Sequence, residues 1–384
     1  MNNKLRVAYF AGTMKPGQDG VTRVLYRLVD ALIKENIESI FFSPVVPSKD
    51  EQRIRMISIP SVTFPLNKEY RFAVPGSRNF ENEIKKFNPD LIHINSPCSL
   101  GFAAVKYANK NHIPVVATYH THFPSYAKYY KIKMLELFSW NYLRSLYNKC
   151  DSVFVPSITI MDELRQQGFL TTEFLPHGVD ANLFNPSFKD EEWKRRIGAE
   201  GKIVILYAGR LVWEKDLHTL AGSYKIVSKK RDDVKFVLAG DGPVRNDLKE
   251  IMQDAIFLGY LSGKDLSAAY ASSDIFVFPS TTETFGNVTL EAMASKIPPV
   301  CAREGGAYGI IKEGITGLIA EPRDAESLSE KLLFLIDNPD KRDEISSMAY
   351  NFSMDKTWEK IFKQLFNRYN EIIYQSKLSA WNAA

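Results

Sequence analysis

Two stretches of the chain carry side chains whose types and spacing suit a charged, hydroxyl-rich ligand. The first is Gly209-Arg210-Leu211-Val212-Trp213-Glu214-Lys215, where two long cations stand just past the apolar run Ile203–Ala208. A planar guanidinium and a compact ammonium can together neutralise a diphosphate. Two basic residues in a loop are also what an ordinary solvated surface carries. The second stretch is Pro279-Ser280-Thr281-Thr282-Glu283-Thr284-Phe285-Gly286-Asn287-Val288-Thr289-Leu290-Glu291-Ala292-Met293-Ala294. There an apolar run ends, a turn carries Glu283, and a helical pattern opens near Asn287. At such a start the backbone N–H groups of Gly286, Asn287 and Val288 have no intrahelical acceptor and favour an anion. Glu283 on the turn and Glu291 in the first turns suit the hydroxyls of a ribose and a sugar, as an acidic side chain does in dinucleotide sites. Both would equally complement the helix N-terminus.

His120 is a further candidate, in Thr118-Tyr119-His120-Thr121-His122-Phe123-Pro124 at the end of the run Val115–Tyr119, with a core or capping role as the alternative. The amino-terminal loop from Gly12 to Gly20 carries glycines that let backbone amides approach an anion. Its spacing is neither G-x-G-x-x-G nor a P-loop, because Gln18 stands where a P-loop places lysine. Between Tyr126 and Lys149, basic residues including Lys128, Lys131 and Lys133 are interleaved with aromatic ones including Tyr126 and Trp140. Such a helix either lies in a lipid interface or packs on its own sheet.

These groups must be positioned by the rest of the chain, which alternates short apolar runs with helical patterns throughout, the signature of repeated βαβ units. Strands are expected at Leu5–Phe10, Ser39–Ser43, Ile54–Ile59, Leu91–Asn95, Val115–Tyr119 and Ser152–Pro156, with a helix over Val21–Lys34. After a polar stretch from His177 to Lys202 the alternation restarts at Ile203–Ala208, Lys235–Gly240, Ile256–Gly259, Ile275–Pro279 and Pro299–Ala302. The fold class is therefore α/β, with two Rossmann-like doubly wound domains over residues 1–180 and 181–355. An amphipathic helix over 356–378 has no strand after it and is expected to cross back onto the first domain. Ser379 to Ala384 read as detached from that helical pattern.

Composition agrees: 384 residues, 45% hydrophobic and 24% charged, fill two cores of an ordinary globular protein. A net charge of +4 does not point to nucleic acid. Cys98, Cys150 and Cys301 form no C-x-x-C and read as reduced core residues. The first apolar run is too short for a signal h-region, and no run approaches the ~18 residues of a membrane span, so a cytoplasmic protein, at most peripheral on the inner face of a membrane, is expected. No Asp-x-Asp occurs and the histidines form no ligand cluster, so neither a metal-clamped diphosphate nor another cofactor is expected.

In order along the chain, Gly-Arg-Leu-x-x-Glu-Lys, Ala239-Gly240-Asp241-Gly242-Pro243 and Glu-x7-Glu resemble the retaining glycosyltransferases of GT-B architecture, family four. That resemblance implies that Arg210 and Lys215 hold a donor diphosphate and Glu291 the ribose hydroxyls. It implies that Glu283, with the backbone at Phe285, Gly286 and Asn287, holds the donor hexose. His120 matches the histidine near the reacting centre, and Gly20 the amino-terminal glycine loop. The donor, of GDP-mannose or UDP-glucose type, would sit mainly on the second domain, and the acceptor, a sugar or lipid-linked molecule, on the first. The chain departs from the family pattern in three places: Gly17 and Gly20 stand apart rather than in tandem, Asp216 follows Glu-Lys where glycine is common, and Gly309 stands where an acidic residue is usual. An epimerase or phosphorylase of the same architecture and a non-catalytic sugar-nucleotide sensor are the alternatives. A nicotinamide oxidoreductase fits less well, since Gly240-x-Gly242 continues to Arg245 rather than a third glycine.

Overall fold

The computed structural model describes residues 4–17, 20–64, 67–74, 78–122, 124 and 133–383. Strands β1 (Arg6–Phe10), β2 (Glu38–Ser43) and β3 (Arg55–Ser58) are followed by a hairpin of β4 (Ser61–Phe64) and β5 (Asn67–Ala73). Then come β6 (Leu91–Ile94), β7 (Val115–Thr118), β8 (Ser152–Val155) and β9 (Thr172–Phe174). Apart from the hairpin they form one parallel sheet in the order β3-β2-β1-β6-β7-β8-β9. The second half repeats the plan with β10 (Ile203–Ala208), β11 (Val234–Ala239), β12 (Ile256–Gly259), β13 (Ile275–Phe278), β14 (Pro299–Ala302) and β15 (Leu318–Ala320), in the parallel order β12-β11-β10-β13-β14-β15. Most central strands are buried along their length. This is why they appear in the sequence as unbroken apolar runs rather than alternating ones.

In both sheets the strand order reverses beside the first strand, at β1/β6 and β10/β13. An open α/β sheet forms a crevice outside the carboxyl ends of its strands at that point. The loops after β1, β6 and β7 on one side and β10 and β13 on the other therefore carry the candidate residues.

The helix Trp358–Ala383 closes one face of the first sheet, with Phe362, Leu365, Phe366, Tyr369 and Ile372 in one core with Val7, Tyr9, Leu28 and Phe41. Tyr369 also hydrogen-bonds the buried His93 on β6. The helix continues unbroken through Ala383, which corrects the reading of a detached end.

The chain passes between the sheets twice, and the two passages run side by side. Val179 forms a parallel bridge with Thr357; its N–H donates to the Lys356 carbonyl at 2.7 Å, and the Trp358 N–H to the Val179 carbonyl at 3.3 Å. A Cβ on Gly178 would lie 2.5 Å from the Trp358 nitrogen and 2.6 Å from its Cα. Only a residue without a side chain lets the two backbones approach so closely. Gly178→Ala is accordingly expected to destabilise by about 1–3 kcal/mol, the usual cost of overpacking, read as a lowered denaturant midpoint; an unchanged midpoint would mean that the passages separate freely.

Candidate active site

The centre of the site is an ion pair between two loops. Lys215 lies at the end of a 3-10 turn, Trp213–Lys215, after β10, and its Nζ stands 2.7 Å from Oε2 of Glu283, which follows β13. Both side chains are mostly shielded, at 14% and 28% exposure. Burial by itself raises the Glu283 carboxyl, but the charge and hydrogen bond of Lys215 outweigh it and hold the group below the usual carboxylate range. The Glu283 carbonyl accepts from the Gly306 N–H at 2.6 Å, which ties this loop to the one after β14.

Three residues on, Gly286 adopts φ 89° as the cap of helix Asn287–Ala294. A Cβ there would come within 2.7 Å of the Ala307 Cβ, so both space and backbone conformation call for glycine. The helix's own bonds begin at Thr289 and Leu290, whose N–H groups donate to the Gly286 carbonyl. The N–H groups before them have no acceptor within the helix, the arrangement that favours an anion. The Phe285 ring is buried, 5.0 Å from the His177 ring, so this residue offers the crevice its backbone. Val288 is half-buried against the second core.

Glu291, one helical turn further, accepts a hydrogen bond from Tyr270 Oη at 3.1 Å. Burial pushes its carboxyl up to about 7, against the opposing pull of Arg23, the Tyr270 hydrogen bond and Arg27. The two arginines belong to helix Gly20–Lys34 of the first domain, so Glu291 senses charge from across the crevice. Arg27 also pairs with Asp180 at 2.7 Å. Arg210 is exposed after β10, its carbonyl accepting from Tyr207 Oη at 3.0 Å.

On the first domain, His120 follows β7, and its Nε2 lies 3.2 Å from Oδ1 of Asn95 after β6. The His120 ring is 5.9 Å from that of His177, whose Nδ1 meets Asn287 Oδ1 at 2.9 Å. His120 is thereby linked to the helix N-terminus by one ring contact and one hydrogen bond. Burial, then the neighbouring His177 and His93, hold His120 well below the ordinary histidine range, and burial pushes His177 down to about 4. Both rings are therefore neutral at neutral pH. His120 Nδ1, His177 Nε2 and Asn95 Nδ2 are buried without a hydrogen-bond partner. Such atoms seldom go unsatisfied in a native protein, and all three belong to residues linked through the His120 ring. A second contact closes the crevice nearby: the His122 N–H donates to Thr284 Oγ1 at 3.2 Å.

Arg210, Lys215, Glu283, Phe285, Gly286, Asn287, Val288, Glu291 and His120 thus gather on facing strand ends. Gly20 is exposed at the start of its helix. Tyr126, Lys128 and Lys131 lie outside the described residues. Lys133 is exposed at the start of helix Lys133–Tyr147, whereas Trp140 on the same helix is buried at 6%, edge-on to the His122 and Phe169 rings. The expectation that Trp140 belongs to an exposed basic-aromatic face is corrected by that packing. Sequence reasoning missed His177, Asn95 and Tyr270. His177 lay in what read as a polar linker, and no spacing marked the other two.

Residues 18–183 match the model of Glycosyltransferase Family 4, and residues 189–352 that of Glycosyl transferases group 1. The chain is 32% identical over 380 residues to a GDP-mannose-dependent alpha-mannosyltransferase of Corynebacterium glutamicum, covering 97% of this chain and 90% of that one. It is 30% identical to an alpha-monoglucosyldiacylglycerol synthase of Streptococcus pneumoniae, covering 82% of this chain and 75% of that one. The Anabaena protein HepE, solved with UDP-glucose, superposes with a TM-score of 0.74 at 19% identity, over 96% of this chain and all of the other, and so shares the fold. The chain belongs to the family 4 glycosyltransferases and has their GT-B architecture. It is an enzyme that moves a hexosyl group from a nucleotide-sugar donor, and nothing supports the epimerase alternative.

The state of Glu291 gives a pH signature. Its folded pKa of about 7 lies above the ordinary 4.5, so between those values the native state holds the proton more tightly than the unfolded chain. Stability from this group is therefore full below pH 4.5 and lost as pH rises to about 7. Unfolding titrations across that range should show the Glu291→Gln variant lacking part of the wild-type decline; parallel curves would place the carboxyl elsewhere.

Proposed function

We propose that the enzyme transfers a hexose, with retention, from a GDP-mannose or UDP-glucose type donor to a sugar or lipid-linked acceptor. The observation that carries this reading is the Lys215–Glu283 pair at 2.7 Å, set beside a helix N-terminus and facing His120 across the crevice. In this reading Lys215 and Arg210 neutralise the leaving diphosphate together with the N–H groups of Gly286, Asn287 and Val288. Glu283 and the backbone at Phe285, Gly286 and Asn287 hold the hexose, Glu291 the ribose hydroxyls, and Gly20 leads the helix start that approaches the phosphates on closure. His120, neutral and hydrogen-bonded to Asn95, stands beside the reacting centre with its Nδ1 left unpartnered. The first domain, residues 1–180, takes the acceptor, and residues 181–355 the donor.

Cation charge from Arg210 and Lys215 makes a metal ion unnecessary for the leaving group. Among the described residues no group of His, Cys, Asp and Glu is arranged to hold one. Arg210→Ala and Lys215→Ala should each lower turnover by on the order of 10²–10³ while leaving the fold intact, and EDTA should leave the wild-type rate unchanged in the same assay. Full activity in the folded double variant, or a loss on chelation restored by magnesium or manganese, would overturn these roles.

The acceptor side carries a second feature. Helix Lys133–Tyr147 exposes Met134, Leu137 and Phe138, at 83%, 66% and 65%, spaced three and four residues apart beside Lys133. One helix face so apolar in solvent marks an interaction surface. A Streptococcus pneumoniae relative is named for a diacylglycerol product, and a lipid-linked acceptor would bring such a face to the bilayer. No helix among the described residues is long and apolar enough to cross a membrane; in this reading the exposed face itself makes the contact. Sedimentation with anionic vesicles is expected for the wild type and not for a Leu137→Glu, Phe138→Glu variant. Equal recovery of the two with the vesicles would remove the membrane surface from the proposal.

A further inference from the structure

Asp216 follows Lys215 directly, and its surroundings are unusual for an aspartate at a helix start. It caps helix Leu217–Lys230 from a left-handed backbone conformation, φ 54°, yet its side chain bonds no N–H of that helix. An aspartate at this position ordinarily caps its own helix. Here the carboxylate, only 4% exposed, turns to the loop after β13 and accepts from the Thr281 N–H at 2.9 Å and Thr281 Oγ1 at 2.6 Å. Arg323, after β15, completes the group: its Nε lies 3.4 Å from Asp216 Oδ1, its Nη2 donates to Thr281 Oγ1 at 2.8 Å, and its Nη1 is 3.4 Å from Glu304 after β14.

The two loops are joined residue by residue. Thr282 Oγ1 donates to the Glu214 carbonyl at 2.8 Å, Lys215 pairs with Glu283, and Asp216 holds Thr281. The outer links are polar, shielded and independent of the Lys215–Glu283 pair. They hold the two loops together when the ammonium and carboxylate turn from one another toward a ligand. We infer that Asp216, with Arg323, is a positioning residue that fixes the spacing of Lys215 and Glu283 for the donor. This rests on the proposed roles of those two residues. Asp216 touches no reacting atom; it acts through its neighbour in the chain and through Thr281.

The test is a double-mutant cycle on transfer from a nucleotide-sugar donor. Asp216→Gly is compatible with the left-handed backbone and removes the carboxylate with its methylene, whereas Asp216→Asn removes the charge alone. A displacement of about 1 Å at such a site costs on the order of 10²-fold, so Asp216→Gly, Asp216→Asn and Arg323→Gln should each lower kcat/KM for the donor by about ten- to a hundred-fold. In a Lys215→Ala background, where one of the two positioned groups is absent, Asp216→Gly should cost a clearly smaller factor than in the wild type, because coupled residues do not add. A merely structural role would instead lower the melting temperature and cost the same factor in both backgrounds, which overturns the inference. Wild-type kinetics in all three single variants would also overturn it. If Lys215→Ala is itself fully active, the donor assignment falls and takes this inference with it, an outcome distinguishable from failure of the clamp alone. Should Asp216→Gly fold poorly, the cycle is run with Arg323→Gln, whose side chain is 48% exposed.

Discussion

Bringing a lysine and a glutamate together in a shielded crevice is costly, and a pair of this kind is weak evidence for stability. In the proposed reading, the Lys215–Glu283 pair is two ligand-binding groups that neutralise each other. Each stands at the carboxyl end of a strand flanking the switch point of the second sheet, where the reversal of strand order parts the loops. Much of the surrounding architecture can be traced to keeping these two groups charged and in reach. Gly306 packs a backbone against the Glu283 loop, and Gly286 turns that loop into a helix start.

The crevice contrasts chemically from one wall to the other. The second domain offers cations and backbone N–H groups, suited to a phosphate. The first offers the neutral imidazole of His120 and the amide of Asn95, whose unpaired atoms suit hydroxyls rather than charge. His177 belongs to neither wall: it sits in the passage between the sheets, bonded to Asn287 and in ring contact with His120, Phe285 and Trp358. This ring therefore ties the passage, the first domain and the helix N-terminus into one contact network.

The second passage explains the tail helix. Without Trp358–Ala383, Tyr9 and Phe41 on one face of the first sheet, and Leu28 on the helix packed there, would lose apolar cover. The chain therefore returns after its second domain to complete the first, and the paired backbones at Val179 and Thr357 make two connections act as one joint.

The parallel, doubly wound character of both sheets was legible in the residues, because strands buried on both faces appear as short apolar runs such as Ile203–Ala208 and Pro299–Ala302, whose ends the structure reproduces. The three-residue strands β9 and β15 and the mixed-polarity hairpin β4/β5 were not, since so few residues show no period. Arg210, Lys215, Glu283 and Glu291 could be singled out from spacing, because a loop at a strand end and a helix start are local features. That Lys215 meets Glu283, that Glu291 feels Arg23, and that Trp140 faces inward depended on the packing of elements far apart in the chain. The contacts of His177 and Asp216 were beyond reach for the same reason: a polar residue in a linker, and an aspartate noticed only as a departure after Glu-Lys, acquire meaning from what folding sets opposite them, here Asn287 and Thr281.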